Sequence, residues 1–206
     1  MHAGSDMLRR LDEDMRAHQV EADTELDPLF DAETQPAHYL LYLTRIYGFA
    51  APLECALEMT PGLDRMIDLR VRSKSKHIVT DLLALGLRPA ALAEMPLCLT
   101  VPQFRGVAEA LGWMYVMERQ TLVYGVLRRH LSACLPASAA NASAFLGSYD
   151  GVTGLRWKEL GELLDVVAAP SYAIADRIVG AAHEGYRCLR RWAGHDVEPH
   201  RGRAAS

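Results

Sequence analysis

Few side chains in this sequence stand where they could do chemistry, and the first is His18. It belongs to a series, Leu8, Leu11, Met15, His18, Ala22 and Leu26, whose steps of three and four put all six on one face of a helix. An imidazole on an apolar face must find a partner, because burying its nitrogens unpaired is costly. A backbone carbonyl meets that need in an ordinary core histidine, and a metal ion meets it in a ligand. The other histidines are poorer candidates: His130 reads as facing outward on a long helix, and His195 and His200 fall in a polar tail. No histidine has a glutamate three residues before it, so the paired Glu-x-x-His of a di-iron bundle is excluded. Neither a phosphate loop of the G-x-x-x-x-G-K-[ST] type nor a G-x-S-x-G elbow is present.

Cys55, Cys98, Cys134 and Cys188 are widely spaced, with no C-x-x-C, and read as reduced core thiols of a cytoplasmic protein. Arg70, Arg72, Lys74 and Lys76 alternate with other residues, so a helix would scatter them around its surface. They read as a solvated face, or as a docking face for an acidic partner whose approach such charges would steer.

The elements that must position these residues are helical. Apolar residues recur near every 3.6 positions and strand-like alternation is missing. Helices are expected over about 6–26, 36–57, 63–85, 103–134, 153–167 and 171–192. Pro52 should bend or end the second, and residues 87–101 have room for one short helix at most. The stretch 135–152 reads as a linker holding one short helix. The chain is thus expected to be one all-α domain over 1–193 with a disordered tail over 194–206. At 206 residues it can bury a substantial core, and a net charge of -4 argues against non-specific nucleic-acid binding. The charged first 25 residues do not read as a signal peptide, and no stretch reads as a membrane span, so the expectation is a soluble, cytoplasmic protein.

Six segments in order resemble the biliverdin-producing heme oxygenase family. Tyr39-x-x-Tyr42-Leu43-x-x-x-Tyr47, closing in Pro52-Leu53-Glu54, is similar to the family's tyrosine-rich helix, and Asp81-Leu82-Leu83-Ala84-Leu85-Gly86 to its "D-L-x-x-L-G" helix end. Leu111-Gly112-Trp113-Met114-Tyr115-Val116-Met117-Glu118 looks like "L-G-x-L-Y-V-x-E", continued by Val126 to Leu131. Phe145-x-x-x-Tyr149 with Gly154-x-x-Trp157, and Tyr186 to Trp192, complete the series. The resemblance implies a heme oxygenase-like bundle, heme as substrate or cofactor, and a proximal histidine on the first helix. Counted from Glu21 and Asp23 that histidine is His18, whereas counted from Leu8-Arg9 the position falls on Arg16. Arg177 on the last helix is a candidate partner for a heme propionate.

One departure is physical in kind. After Glu118 the family carries a glycine-rich run that lets the helix backbone approach the heme. Here the run reads Arg119-Gln120-Thr121-Leu122-Val123-Tyr124, and Arg119, Gln120, Val123 and Tyr124 would form the distal wall. Overpacking of this sort costs about 1–3 kcal/mol per site when a cofactor is forced in. Two functions follow as expectations. One is oxidative cleavage of heme to biliverdin, iron and carbon monoxide, fed by a ferredoxin-like electron donor. The other is a catalytically inactive scaffold that binds heme or a bile pigment, or contacts a bacteriophytochrome-type photoreceptor.

Overall fold

The computed structural model describes residues 4–194, and all regular structure there is helical. The chain runs through α1 (Asp6–Asp14), α2 (Arg16–Thr24), α3 (Asp27–Phe30), α4 (Pro36–Glu58), α5 (Ser75–Ala84), α6 (Pro89–Ala93), α7 (Val107–Cys134), α8 (Ala137–Ala140), α9 (Thr153–Ala168) and α10 (Tyr172–Ala193). One continuous apolar core joins them into a single domain. The expected tail from 195 onward, His195 and His200 included, lies outside the described residues.

The centre of the fold is the packing of α7 on α10, which run in the same direction. Gly112 lies against the backbone of Ile178–Ala182 and Gly185 against Val116 and Trp113, so a Cβ at either position would force the helices apart. Burial by the other helices then makes α7 apolar nearly all round from Ala110 to Met117. The first expected helix is interrupted at Met15, giving α1 and α2. Ser5 caps α1, accepting from the Leu8 N–H at 3.1 Å while donating to the Gly161 carbonyl at 3.1 Å, and the Met7 N–H reaches Asp165 at 2.9 Å. These contacts fix α1 on α9. At the other end the buried Tyr115 hydroxyl of α7 donates to Asp12 at 2.6 Å and accepts from the Gln19 amide at 2.7 Å. Gln19 adjoins His18, so this hydroxyl fixes the position of α2.

Pro52 does not end α4 early, since the helix continues to Glu58. A proline inside a helix leaves the carbonyl four residues back without its usual donor. That carbonyl belongs to Gly48, and the Cys98 N–H from a distant loop fills the vacancy at 2.8 Å.

The helix expected over 63–85 is shorter by more than half. Only α5 is regular, preceded by turns and a 3-10 turn at Leu69–Val71. Two carboxylates account for this. Glu54 on α4 accepts from the Lys74 and Ser75 N–H groups and the Ser73 and Ser75 hydroxyls, so it caps α5 from outside. Glu118 on α7 draws Arg72 and Lys74 inward, at 2.7 and 3.1 Å, and also accepts from the Tyr149 hydroxyl at 2.8 Å. The basic run is therefore not a surface stripe: Arg72 is 5% and Lys74 1% exposed, and only Arg70 and Lys76 face solvent. Lys74 Nζ also lies 3.7 Å from the centre of the Tyr149 ring, a cation–π contact.

This cluster fixes a stability prediction. Glu118→Ala strands two buried cations and should cost about 3–5 kcal/mol in denaturant titration. Replacing the triad with apolar residues (Arg72→Met, Lys74→Met, Glu118→Leu) should cost less than that single change. A triple variant less stable than Glu118→Ala would contradict the account.

Candidate functional site

His18 lies where its stripe placed it, on the inward face of α2 with 19% of its side chain exposed. Its Nε2 is 3.1 Å from Nδ1 of His183 on α10, so one ring donates the proton they share. The opposite nitrogen faces Glu21 at 3.7 Å, and the ring stacks on Tyr186 with centroids 5.5 Å apart and planes 10° from parallel. His183 stands 165 residues from His18, and no local pattern announces the pair. The available signal is on α10 itself, where His183, Tyr186 and Arg190 recur at steps of three and four.

Beside this pair opens a cavity of about 410 Å³ between α2, α4 and the last turns of α10. Such a volume falls within the roughly 300–1,000 Å³ of pockets that take cofactor-sized molecules. Its apolar wall includes Leu26, Leu29, Leu41, Ile46, Leu189 and Trp192. Its polar groups include His18, His38, Arg45, Gln120 and Arg190. On its α4 wall the buried Arg45 Nε makes no hydrogen bond, while the Tyr42 hydroxyl faces that of Tyr124 in the core. Arg190 is paired with Glu21 at 2.8 Å, which places a guanidinium at the rim next to the histidines. The Trp192 indole N–H donates to the Arg45 carbonyl at 2.8 Å and its ring lies over Gly48, so the α10 wall is pinned to α4.

Of the residues expected to form the distal wall, only Gln120 reaches this cavity. Tyr124 points into the core, 2% exposed, with its ring 4.7 Å from that of Phe145. Its hydroxyl has no hydrogen-bond partner, and burial holds it well above the usual phenol range. Val123 packs half-buried against the core. Arg119 is half-buried near Tyr115 and Tyr186, whose hydroxyls burial holds above the usual phenol range while its charge pulls them partly back. Arg177 is exposed near the start of α10 and does not line the cavity, whereas Arg45 and Arg190 do. Of the aromatic stripe, Tyr39 is core and donates to Asp81, Tyr47 packs half-buried on the core, and Tyr42 lines the cavity. His130 is half-buried at the surface, where its ring meets the exposed Phe30 and Nε2 is 3.1 Å from the Asp31 carbonyl.

Heme is the group the resemblance implies, and the lining suits its chemistry. An imidazole stands at one wall, two guanidiniums suit its propionates, apolar side chains suit the macrocycle, and the buried Arg45 Nε has no partner. Among the described residues no cluster of three or more His, Cys, Asp or Glu could hold a bare metal ion. Nor is any helix there long and apolar enough to cross a membrane. No family model matches the chain, and no curated protein is significantly similar to it.

His183 makes stability depend on pH. Burial, then the His18 ring and the Arg187 charge, hold His183 below its ordinary value of 6.5. Asp14 alone among its charged neighbours acts the other way. The unfolded chain therefore binds the proton more readily, so stability falls as pH drops below about 6.5 towards the depressed value. Urea midpoints measured at about pH 7.5 and about pH 5.5 should show that fall, and a smaller one in His183→Gln. Equal falls in both proteins would remove His183 as its source.

Proposed function

We propose that the protein binds heme, as a heme oxygenase-like helical protein, in the cavity between α2, α4 and α10, with His18 as the axial ligand. The observation that carries this reading is the cavity itself, which sets an imidazole, Arg45 and Arg190 around an apolar space. In such a complex the iron would accept the His18 imidazole and supply the redox chemistry. His18 would give up its contact with His183 to free Nε2, and Glu21 would hold the other nitrogen. Arg45 and Arg190 would meet the propionates.

Between the two activities open to such a protein, holding heme or a bile pigment is favoured over opening the ring. The middle of α7 carries Val123 and the buried Tyr124, so its backbone has no glycine-lined face to offer a macrocycle. A second reading, cleavage of heme to biliverdin, iron and carbon monoxide, rests on Gln120. This polar side chain brings α7 to the cavity, where it could order water beside a bound ligand. An acidic electron donor of the ferredoxin kind would then need a face other than 70–76, where Arg72 and Lys74 are buried. Contact with a bacteriophytochrome-type photoreceptor belongs to the non-catalytic reading.

Titration with hemin should produce a sharp Soret band that His18→Ala abolishes. Arg45→Leu and Arg190→Leu should each weaken binding about tenfold, the loss of one charge-assisted hydrogen bond. A reductant and air should then leave the band in place. Biliverdin absorption would establish the second reading instead, and no Soret band at all would sink both.

A further inference from the structure

Two thiols from distant parts of the chain meet beyond the α10 wall of the cavity. Cys98 Sγ lies 3.6 Å from Cys188 Sγ, and the Thr100 hydroxyl stands 3.3 Å from each. Both cysteines are 2% exposed. Cys188 is on α10, whereas Cys98 sits on the irregular connection between α6 and α7, held there by its N–H on the Gly48 carbonyl. Sulfurs in van der Waals contact need to approach by only about 1.5 Å to reach bonding distance. A loop residue can supply that by a small shift and a side-chain rotation. Cys188 also lines an open groove of about 490 Å³ walled by Thr100, Pro102, Trp113, Arg187 and Arg191, through which a small reagent can arrive.

We infer that Cys98 and Cys188 form a redox-active dithiol that closes to an intrachain disulfide by exchange with a small-molecule disulfide. The Cys188 thiolate attacks one sulfur of the reagent, forming a mixed disulfide, and the departing thiolate takes up the proton that Cys188 lost. Cys98 then loses its own proton and attacks Cys188 Sγ, expelling the second reagent thiolate, which takes up that proton. The protein gives up two electrons and two protons, and the reagent leaves as two thiols. Thr100 can donate to whichever sulfur carries the charge. Burial holds the Cys188 thiol up to about 11, with Thr100 pulling it partly back and Cys98 adding to the rise. Thiolate is therefore scarce at neutral pH, and exchange should speed up as pH rises. This inference stands apart from the heme reading, since the thiols lie outside the cavity and need no ligand in it.

The test uses the full-length protein with oxidised glutathione at about pH 8, quenched in acid and alkylated under denaturing conditions. The readout is taken on a Cys55→Ser, Cys134→Ser variant, because the exposed Cys55 and half-buried Cys134 would themselves take up glutathione. Its alkylatable thiols should fall from two to none and its mass by about 2 Da, with an unreduced digest containing Cys98 joined to Cys188. The melting temperature should rise by roughly 5–15 °C, reversed by dithiothreitol, because the bond closes a long loop. Retention of both thiols, or oxidation halting at a glutathione adduct of Cys98 or Cys188, would overturn the inference.

Discussion

The carboxylate of Glu118, inside the bundle on α7, is the constraint around which much of the chain is arranged. A buried charge of one sign is tolerable only with opposite charge and hydrogen bonds around it. Arg72, Lys74 and the Tyr149 hydroxyl supply these from two other parts of the sequence. Bringing Arg72 and Lys74 in from one side requires the segment before α5 to leave helical geometry, which it does. It also brings Tyr149 and the start of α9 against α7, because Arg72 continues to the Arg156 carbonyl and to Glu159. Burial works against the Lys74 charge and Glu118 restores part of it. The cluster therefore specifies how α5, α7 and α9 meet more than it adds to net stability.

A second arrangement does the same for the cavity. Pro52 removes a donor from α4, Gly48 has no side chain, and both effects fall on one carbonyl and the space beside it. The loop at Cys98 bonds that carbonyl and the Trp192 ring fills that space. A local defect in one helix thus becomes the anchor for a loop and for the last turn of α10. The cavity owes its α10 wall to this anchor, just as α2 owes its position to the Tyr115 hydroxyl.

Much of the fold was legible because apolar spacing survives tertiary packing. The stripe from Leu8 to Leu26 is the buried or half-buried face of α1 and α2, and the spans of α4, α7, α9 and α10 follow their periodicity. What could not be read depends on groups distant in sequence. Residues 63–74 have a helical pattern that Glu54 and Glu118 override from other helices. Arg72 and Lys74 look like surface residues because nothing beside them reveals a buried carboxylate 44 or 46 positions away. In the candidate site His18 was legible from its neighbours. His183 and Arg190 were not, because their meaning comes from what α10 packs against. Arg177 was placed on the right helix but too near its start, since the cavity sits at the other end.

The filled middle of α7 also bears on where any ligand could lie. Large side chains on α7 would close a site pressed against the helix, yet Tyr124 turns into the core and packs at a tilt on Phe145 rather than entering the cavity. The space is bounded instead by α4 and α10, with one residue of α7 at its edge. Close helix approach occurs near the start of α7, where Gly112 meets α10. What α7 offers the cavity is therefore one polar side chain, Gln120, while Val123 and Tyr124 beside it are taken up by the core.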